Sequence, residues 1–143
     1  MPTNRSIPDA TVIPVLTYPD VRAAVDWLSE AFGFAERIRI GEDHRSQMAI
    51  GADGAVIVAD ASGERQPPDP GVVSHLLKVR VADVAALFER ASRHGAAVLQ
   101  EPTEQVYGEL ECTVADPAGH RWQFTQTLRD VAPEDWGGVT VSR

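Results

Sequence analysis

The sequence predicts an α+β protein built from two βαβββ modules, and three observations support this. A β-branched strand, an amphipathic helix and three short strands can be written in the same order along each half of the chain. A polar, proline-rich stretch separates the halves. The expected helix caps Asp20 and Asp83 are separated by nearly the same number of residues as the turn glycines Gly54 and Gly119. A near-constant offset between matched elements indicates an internal repeat.

The first module is predicted over residues 11–60. Residues 12–18 are apolar and β-branched, and Pro14 favours an edge strand or a bulge because proline has no N–H to donate. Asp20 is suited to cap the helix that follows, where apolar residues recur at helical spacing, and Gly33 favours a left-handed helix end. Three short strands are then expected at residues 35–40, 44–50 and 55–59.

The second module is predicted over residues 74–128, after a stiff linker at residues 61–73 and before a tail at residues 129–143. Asp83 is expected to cap its helix, and Gly95 to end it. Each module has about 50 residues, too few to bury a stable core alone, so the modules are expected to pack together or against a partner chain. The expected strands are residues 75–81, 97–100, 108–114 and 120–125.

Composition excludes several classes of function. The 143 residues carry a net charge of −8, whereas nucleic-acid-binding proteins usually present a basic surface. No apolar stretch approaches the roughly 18–20 residues that span a bilayer, and the first residues lack the apolar core of a signal peptide. Cys112 is the only cysteine, so no intrachain disulfide forms, and its apolar neighbours predict a buried, unreactive thiol. We expect a cytoplasmic protein without a nucleic-acid or membrane partner.

Three motifs resemble those of the vicinal oxygen chelate superfamily, which includes glyoxalase I, bleomycin resistance proteins and extradiol dioxygenases. They are residues 14–20 (PVLTYPD), residues 31–34 (AFGF) and, above all, residues 116–122 (DPAGHRW). The likeness is strongest to the small glyoxalase/bleomycin-resistance-like members. It implies that mixed sheets from the two modules curl into an open cup, with the helices outside, and that the chain forms a homodimer.

Strand alternation predicts which side chains enter this cup, because successive residues point to opposite faces. In the last strand, Trp122 and Phe124 are bulky and apolar and should face the helices. The same reasoning places Val56 and Val58 in the cup. The candidate ligand-binding residues are Arg45, Gln47, Lys78, Arg80, Tyr107, Glu109, Glu111, Arg121 and Gln123.

Two aromatic residues are expected near the open side of the cup. Tyr107 precedes Gly108 at the start of a strand, and Trp136 lies in the tail after Pro133. Either ring is suited to close over a flat ligand. For Trp136, docking of the tail onto the body of the protein or onto a second subunit is the favoured interpretation.

Metal-dependent members of the superfamily bind a divalent cation through one residue on the first and one on the last strand of each module. The resemblance places these positions at Ile13, Val58, Leu76 and Gln123. Three are aliphatic and one is a neutral amide, which favours a cup with no metal or other cofactor. A one-residue register slip would instead bring His75 toward Gln123 and Glu111, an alternative site for Zn, Ni, Fe or Mn.

Two functions of different classes therefore remain open. The first is a metal-free protein that binds a small organic molecule, partly aromatic or cationic, in a cup at a dimer interface; Glu109 and Glu111 would suit a cation. The alternative is a metal-dependent glyoxalase-type lyase or dioxygenase acting on a substrate with vicinal oxygens. A third hypothesis is a metal-independent enzyme in which Glu109 or Glu111 is the base and Arg80 or Arg121 stabilises an anion.

Overall fold

A computed structural model describes residues 2–69 and 71–141 and contains both βαβββ modules. The first module consists of β1 (Val15–Tyr18), α1 (Val21–Phe32), β2 (Ala35–Ile40), β3 (Arg45–Ile50) and β4 (Gly54–Asp60). The second consists of β5 (Leu77–Arg80), α2 (Val84–Arg93), β6 (Ala97–Glu104), β7 (Glu109–Ala115) and β8 (Arg121–Thr127), followed by a 3₁₀ turn at Pro133–Trp136. Pro70 of the expected linker and the last two residues of the expected tail lie outside the described residues.

Each module forms one four-stranded mixed sheet. Sheet A has the strand order β1-β4-β3-β2, and sheet B has the matching order β5-β8-β7-β6. The first and last strands of each module pair in parallel, and the remaining pairs are antiparallel. The predicted α+β fold of two βαβββ units is confirmed.

Local capping explains where the helices begin and end. The carboxylate of Asp20 accepts a hydrogen bond from the N–H of Ala23 at 2.9 Å, and α1 ends at Gly33, whose φ is 76°. Asp83 caps α2 through the N–H of Ala86 at 3.0 Å. Both predicted caps are confirmed. Within residues 2–69 and 71–141, neither helix is long and apolar enough to cross a membrane.

Several strand limits differ from those expected. β1 begins at Val15 instead of residue 12 because Pro14 has no N–H to donate. The carbonyl of Pro14 accepts a hydrogen bond from the N–H of Ile57 at 2.9 Å, where the pairing with β4 starts. β5 begins at Leu77, where its parallel ladder with Trp122 of β8 begins. β6 continues to Glu104 instead of ending at residue 100. Its register with β7 shifts twice, and after each shift the two strands pair again.

One hydrophobic core joins the two modules. The ring of Phe32, at the end of α1, lies 4.8 Å from the Phe124 ring and 5.6 Å from the Trp122 ring, centroid to centroid, in edge-to-face contacts. Phe34 makes a similar contact with Trp122 at 5.3 Å. The first module therefore completes its core with the aromatic residues of the second.

Polar contacts reinforce this packing. The indole N–H of Trp27 on α1 donates to the carbonyl of His94 at 2.6 Å, and the guanidinium of Arg90 on α2 donates to the carbonyl of Glu30 at 2.6 Å. The ring N–H of His120 donates to the carbonyl of Thr17 at 2.7 Å. These bonds satisfy backbone carbonyls of one module with side chains of the other, which orients the two sheets.

Glu36 on β2 is held by several donors beneath α1. Arg22 contacts both of its carboxylate oxygens, Arg39 donates at 2.9 Å, and the hydroxyl of Ser46 donates at 2.7 Å. The hydrogen bonds from Arg22 are the main cause that lowers the pKa of Glu36 to about 2. The ionised carboxylate therefore links the first helix to sheet A.

The low pKa of Glu36 predicts a pH-dependent stability. The unfolded-state pKa of this group is 4.5, so its stabilisation is complete above pH 4.5 and is lost as the pH falls toward 2. After screening by solvent, we expect about 1–2 kcal/mol between these limits. Urea denaturation measures the free energy of unfolding across this pH range. This free energy should fall less steeply with decreasing pH in Glu36→Gln than in wild type. The same dependence in Glu36→Gln and wild type would contradict the prediction, and the exposed Glu101→Gln serves as the control.

Candidate functional site

The strand register decides which side chains lie on the face of sheet B away from the helices, called here the cup face. Trp122, Phe124 and Cys112 are 0% exposed and point toward the helices. Their neighbours along β7 and β8 therefore point the other way, and register places Lys78 beside Gln123 and Arg80 beside Thr125. The alternation predicted for this sheet is confirmed.

Glu111 lies at the centre of the cup face. It is 1% exposed and accepts a hydrogen bond from the hydroxyl of Tyr107 at 2.5 Å. The ammonium of Lys78 forms a salt bridge with its other oxygen at 2.6 Å and lies 5.4 Å from the centroid of the Tyr107 ring. A hydrogen bond and a salt bridge thus join Tyr107, in the turn before β7, and Lys78, on β5, to Glu111 on β7 in one cluster, and β8 lies between the two strands.

The cluster fixes the protonation state of its members. Burial alone would raise the pKa of Glu111, but the hydrogen bonds from Lys78 and Tyr107 outweigh it and lower that pKa. The hydrogen bond to Glu111 in turn raises the pKa of Tyr107 to about 12. At neutral pH, Glu111 is therefore a carboxylate and Tyr107 is a phenol that donates to it.

Glu109 has its own partners next to this cluster. The hydroxyl of Thr125 donates to its carboxylate at 2.7 Å. This bond is the main cause that lowers the pKa of Glu109, and the hydroxyl of Thr127 and the charges of Arg80 and Lys78 act in the same direction. A carboxylate with a lowered pKa that is already hydrogen-bonded is a weak general base at neutral pH.

An open cavity of about 350 Å³ lies over these residues. The ring of Trp136, from the 3₁₀ turn, lies 5.2 Å from the Tyr107 ring, so the tail docks beside the cavity. Thr125 was not among the predicted ligand-binding residues. Strand alternation could have indicated it, because Thr125 follows Phe124 and therefore points to the face away from the helices. The cavity is lined by Lys78, Arg80, Tyr107, Glu109 and Thr125.

Gly108 determines where Tyr107 can lie. Its φ is 86°, and its carbonyl accepts from the N–H of Leu128 at 2.8 Å. A Cβ at this position would lie 2.5 Å from the carbonyl oxygen of Arg129. Only glycine fits this close approach, which fixes the turn that presents the Tyr107 ring.

Two predicted residues on β8 lie on the same face outside this cavity. Arg121 pairs with Ala115 and is half-buried. The amide of Gln123 donates to the hydroxyl of Thr113 at 3.3 Å. The structure thus groups five of the nine predicted residues closely, with Gln123 beside Lys78 but outside the cavity lining and Arg121 farther along β8.

The two predicted ligand-binding residues on sheet A, Arg45 and Gln47, lie apart from the cavity on sheet B. Gln47 is 6% exposed, donates to the carbonyl of Ser6 at 2.8 Å and accepts from the guanidinium of Arg37 at 2.8 Å. Arg37 also donates to the carbonyl of Arg5 at 2.9 Å. The N-terminal segment therefore covers this part of sheet A, and Arg45 is half-buried on the same strand as Gln47.

The prediction that Val56 and Val58 enter the cup is wrong. Val58 pairs with Leu16 and Val56 pairs with Met48, and all of these side chains belong to the core beneath the helices. Ile57, between Val56 and Val58, points to the face of sheet A away from the helices. Residues 55–59 are apolar on both faces, so alternation alone contains no signal for the direction of this strand.

The residues expected to hold a divalent metal offer few donors. With Ile57 in place of Val58, the four positions that the resemblance assigns to metal ligands still offer no donor but the amide of Gln123. His75 is exposed before β5, and Glu111 is engaged by Lys78 and Tyr107. Within residues 2–69 and 71–141, no three His, Cys, Asp or Glu side chains come together as a potential metal site.

Other chemistry-bearing residues lie apart from this cavity. Cys112 is buried in the core, and burial raises the pKa of its thiol to about 11, in agreement with the expected inert thiol. His44 lies 3.1 Å from the carboxylate of Asp60 at the exposed end of β4. A second, apolar cavity of about 230 Å³ between α1 and the turn after β7 is lined by Trp27 and Ala118, and by none of the predicted site residues.

Comparisons with known proteins agree with the motifs and the fold. The family model described as Glyoxalase/Bleomycin resistance protein/Dioxygenase superfamily matches residues 10–124. The uncharacterized protein Mb0911c of Mycobacterium bovis is 30% identical over 127 residues, which cover 82% of this chain and 84% of that protein. The crystal structure of TioX from Micromonospora sp. ML1 matches with a TM-score of 0.68 and 30% identity, over 82% of this chain and 98% of TioX.

A glyoxalase/bleomycin resistance protein from Streptomyces sp. CB03234 shares the fold, with a TM-score of 0.63 and 24% identity over 80% of this chain and 97% of its own. The resemblance inferred from the motifs is confirmed by the family model and by the shared architecture. This chain belongs to the glyoxalase/bleomycin resistance protein/dioxygenase superfamily.

Proposed function

We propose that this protein binds a small, partly aromatic organic molecule on the cup face of sheet B, as a homodimer and without a catalytic metal. The observation that carries the proposal is the cavity of about 350 Å³, whose lining combines the aromatic ring of Tyr107 with charged side chains and the hydroxyl of Thr125. Ligand sites typically combine apolar surface with a few fixed polar groups in a cavity of this order. Here Glu111, Lys78 and Tyr107 hold one another in place before any ligand arrives.

The donor set supports the metal-free part of the proposal. At the four positions that the resemblance assigns to metal ligands, the aliphatic side chains offer no donor, and one amide alone cannot hold a divalent cation against water. Both carboxylates near the cavity have lowered pKa values and hydroxyl or ammonium donors. Binding by shape and charge is the function that this arrangement favours over acid–base or metal-assisted chemistry.

Exposed apolar residues support the homodimer. Val15, on the face of sheet A away from the helices, is 44% exposed, Leu76 just before β5 is 42% exposed, and Val12 is 76% exposed. These residues lie at or just before β1 and β5, each of which forms one of the two edges of its sheet. A second copy covering these edges would bury the apolar side chains and narrow the open cavity.

Calorimetric titration with 2-naphthamide and 2-naphthoate tests the binding site. We expect saturable binding of at least one of these bicyclic aromatic probes. Tyr107→Ala should weaken binding about three- to tenfold because it removes the ring that lines the cavity. Tyr107→Phe keeps the ring and is the matched control. Absence of saturable binding by both probes, or equal affinity in Tyr107→Ala and wild type, would overturn the proposed site.

Two further measurements test the assembly and the metal. Sedimentation equilibrium at micromolar concentration should give twice the chain mass of 15.5 kDa. Elemental analysis of protein purified without chelators should show less than stoichiometric zinc, nickel, iron or manganese. A monomer mass would contradict the homodimer, and one firmly held metal per chain would contradict the metal-free cup.

A further inference from the structure

The carboxylates on the cup face of sheet B already have partners. Glu111 is 1% exposed and contacts the hydroxyl of Tyr107 at 2.5 Å and the ammonium of Lys78 at 2.6 Å. Glu109 accepts from the hydroxyl of Thr125 at 2.7 Å. A cationic ligand would have to displace Tyr107 or Lys78 to reach buried Glu111, and the displaced group would then lack its partner.

The cations on this face are less fully engaged. The cavity is lined by two cations, Lys78 and Arg80, and by one carboxylate, Glu109, which leaves one positive charge in excess in its lining. Within residues 2–69 and 71–141, the guanidinium groups of Arg80 and Arg121 make no hydrogen bond or salt bridge.

The ligand must compensate for the water that it removes from these cations. A neutral molecule filling the cavity would desolvate Arg80 without offering a charged acceptor. A carboxylate offers two oxygens in the geometry that a guanidinium fork binds. The rings of Tyr107 and Trp136, 5.2 Å apart, supply adjoining aromatic surface.

We infer that the ligand is an aromatic anion whose carboxylate or similar oxyanion binds Arg80 and Lys78 while its ring packs against Tyr107. This inference rests on the proposed function, and it reverses the cationic ligand that the sequence suggests. The chain as a whole carries −8, but a screening length of about 8 Å at physiological salt limits the repulsion from distant carboxylates. The charges that line the cavity therefore decide the sign of the ligand.

The test compares three probes of nearly equal shape and different charge: 2-naphthoate, 2-naphthamide and 2-(aminomethyl)naphthalene. Each is titrated calorimetrically into the full chain, into Arg80→Gln and into Arg93→Gln. Arg93 is an exposed arginine on α2, on the far side of the sheet from the cavity, and serves as the matched control. Lys78 is left unchanged because its removal would leave buried Glu111 without its cation.

We expect 2-naphthoate to bind wild type and Arg93→Gln at least about tenfold more tightly than 2-naphthamide, and the amine to bind most weakly. Arg80→Gln should reduce the preference for naphthoate to about threefold or less because it weakens the binding of naphthoate far more than that of naphthamide. Equal binding of acid and amide, or tightest binding of the amine, would overturn the inference while leaving the proposed site in place. Failure of all three probes to bind would overturn both.

Discussion

Replacing Asp116 with alanine is expected to lower the free energy of unfolding by about 3–5 kcal/mol. Asp116 is 4% exposed, and one carboxylate oxygen accepts from the hydroxyl of Tyr18 at 2.6 Å and from the indole N–H of Trp122 at 3.0 Å. The other oxygen accepts from the backbone N–H groups of Ala118 at 3.2 Å and His120 at 3.0 Å. Alanine would leave these donors without their acceptor between the two modules.

Urea denaturation followed by circular dichroism measures this effect. Asp116→Asn keeps the size of the side chain and one good acceptor, so it should cost less than Asp116→Ala. Asp130→Ala removes an exposed carboxylate and should change the free energy of unfolding by less than about 0.5 kcal/mol. A cost below about 1 kcal/mol for Asp116→Ala would mean that this carboxylate does not join the modules.

The second large effect is expected at Phe32. Its ring contacts those of Trp27 at 5.0 Å, Phe34 at 5.4 Å and Phe124 at 4.8 Å, so it lies where the aromatic residues of both modules meet. Phe32→Ala would remove about 3–5 kcal/mol from the free energy of unfolding, through lost burial and the cavity left behind. We expect the two modules to lose stability together because they share this core.

The same denaturation experiment separates the loss of the aromatic shape of Phe32 from the loss of its buried apolar volume. Phe32→Leu retains most of the apolar volume and should cost about 1–2 kcal/mol. Val106→Ala, at a position that is 70% exposed, is the control and should cost less than about 0.5 kcal/mol. If Phe32→Ala cost no more than Val106→Ala, the aromatic cluster would not be the contact that unites the modules.

The limits of α1 were predictable because the signals are local. Asp20 bonds a backbone N–H three residues ahead, and Gly33 needs a positive φ that most other residues avoid. The ends of β1 and β5 were less predictable because a strand ends where its partner stops pairing. Pro14 is an example. The apolar sequence pattern continues through Pro14, but the pairing with β4 starts only at Val15 because proline has no N–H to donate.

The face of each strand was predictable only where one face was distinctly polar. On β7 and β8, polar and apolar residues alternate, and the structure agrees with the predicted faces. On β4, both faces are apolar, and the register with Leu16 instead turned Val58 toward the core. Gln47 was expected in the cup, but the N-terminal segment bonds to its amide from a distant part of the chain.

By itself, the sequence determined the repeated modules, the helix caps and the set of charged residues on the cup face of sheet B. These depend on short-range periodicity and on backbone preferences that each segment carries with it. Only the tertiary structure decided which charges have partners: Glu111 is closed off by Tyr107 and Lys78, whereas Arg80 lines the cavity without a bonded partner among the described residues. Burial and distance between strands set the strength of these contacts, and neither quantity is defined until the segments pack.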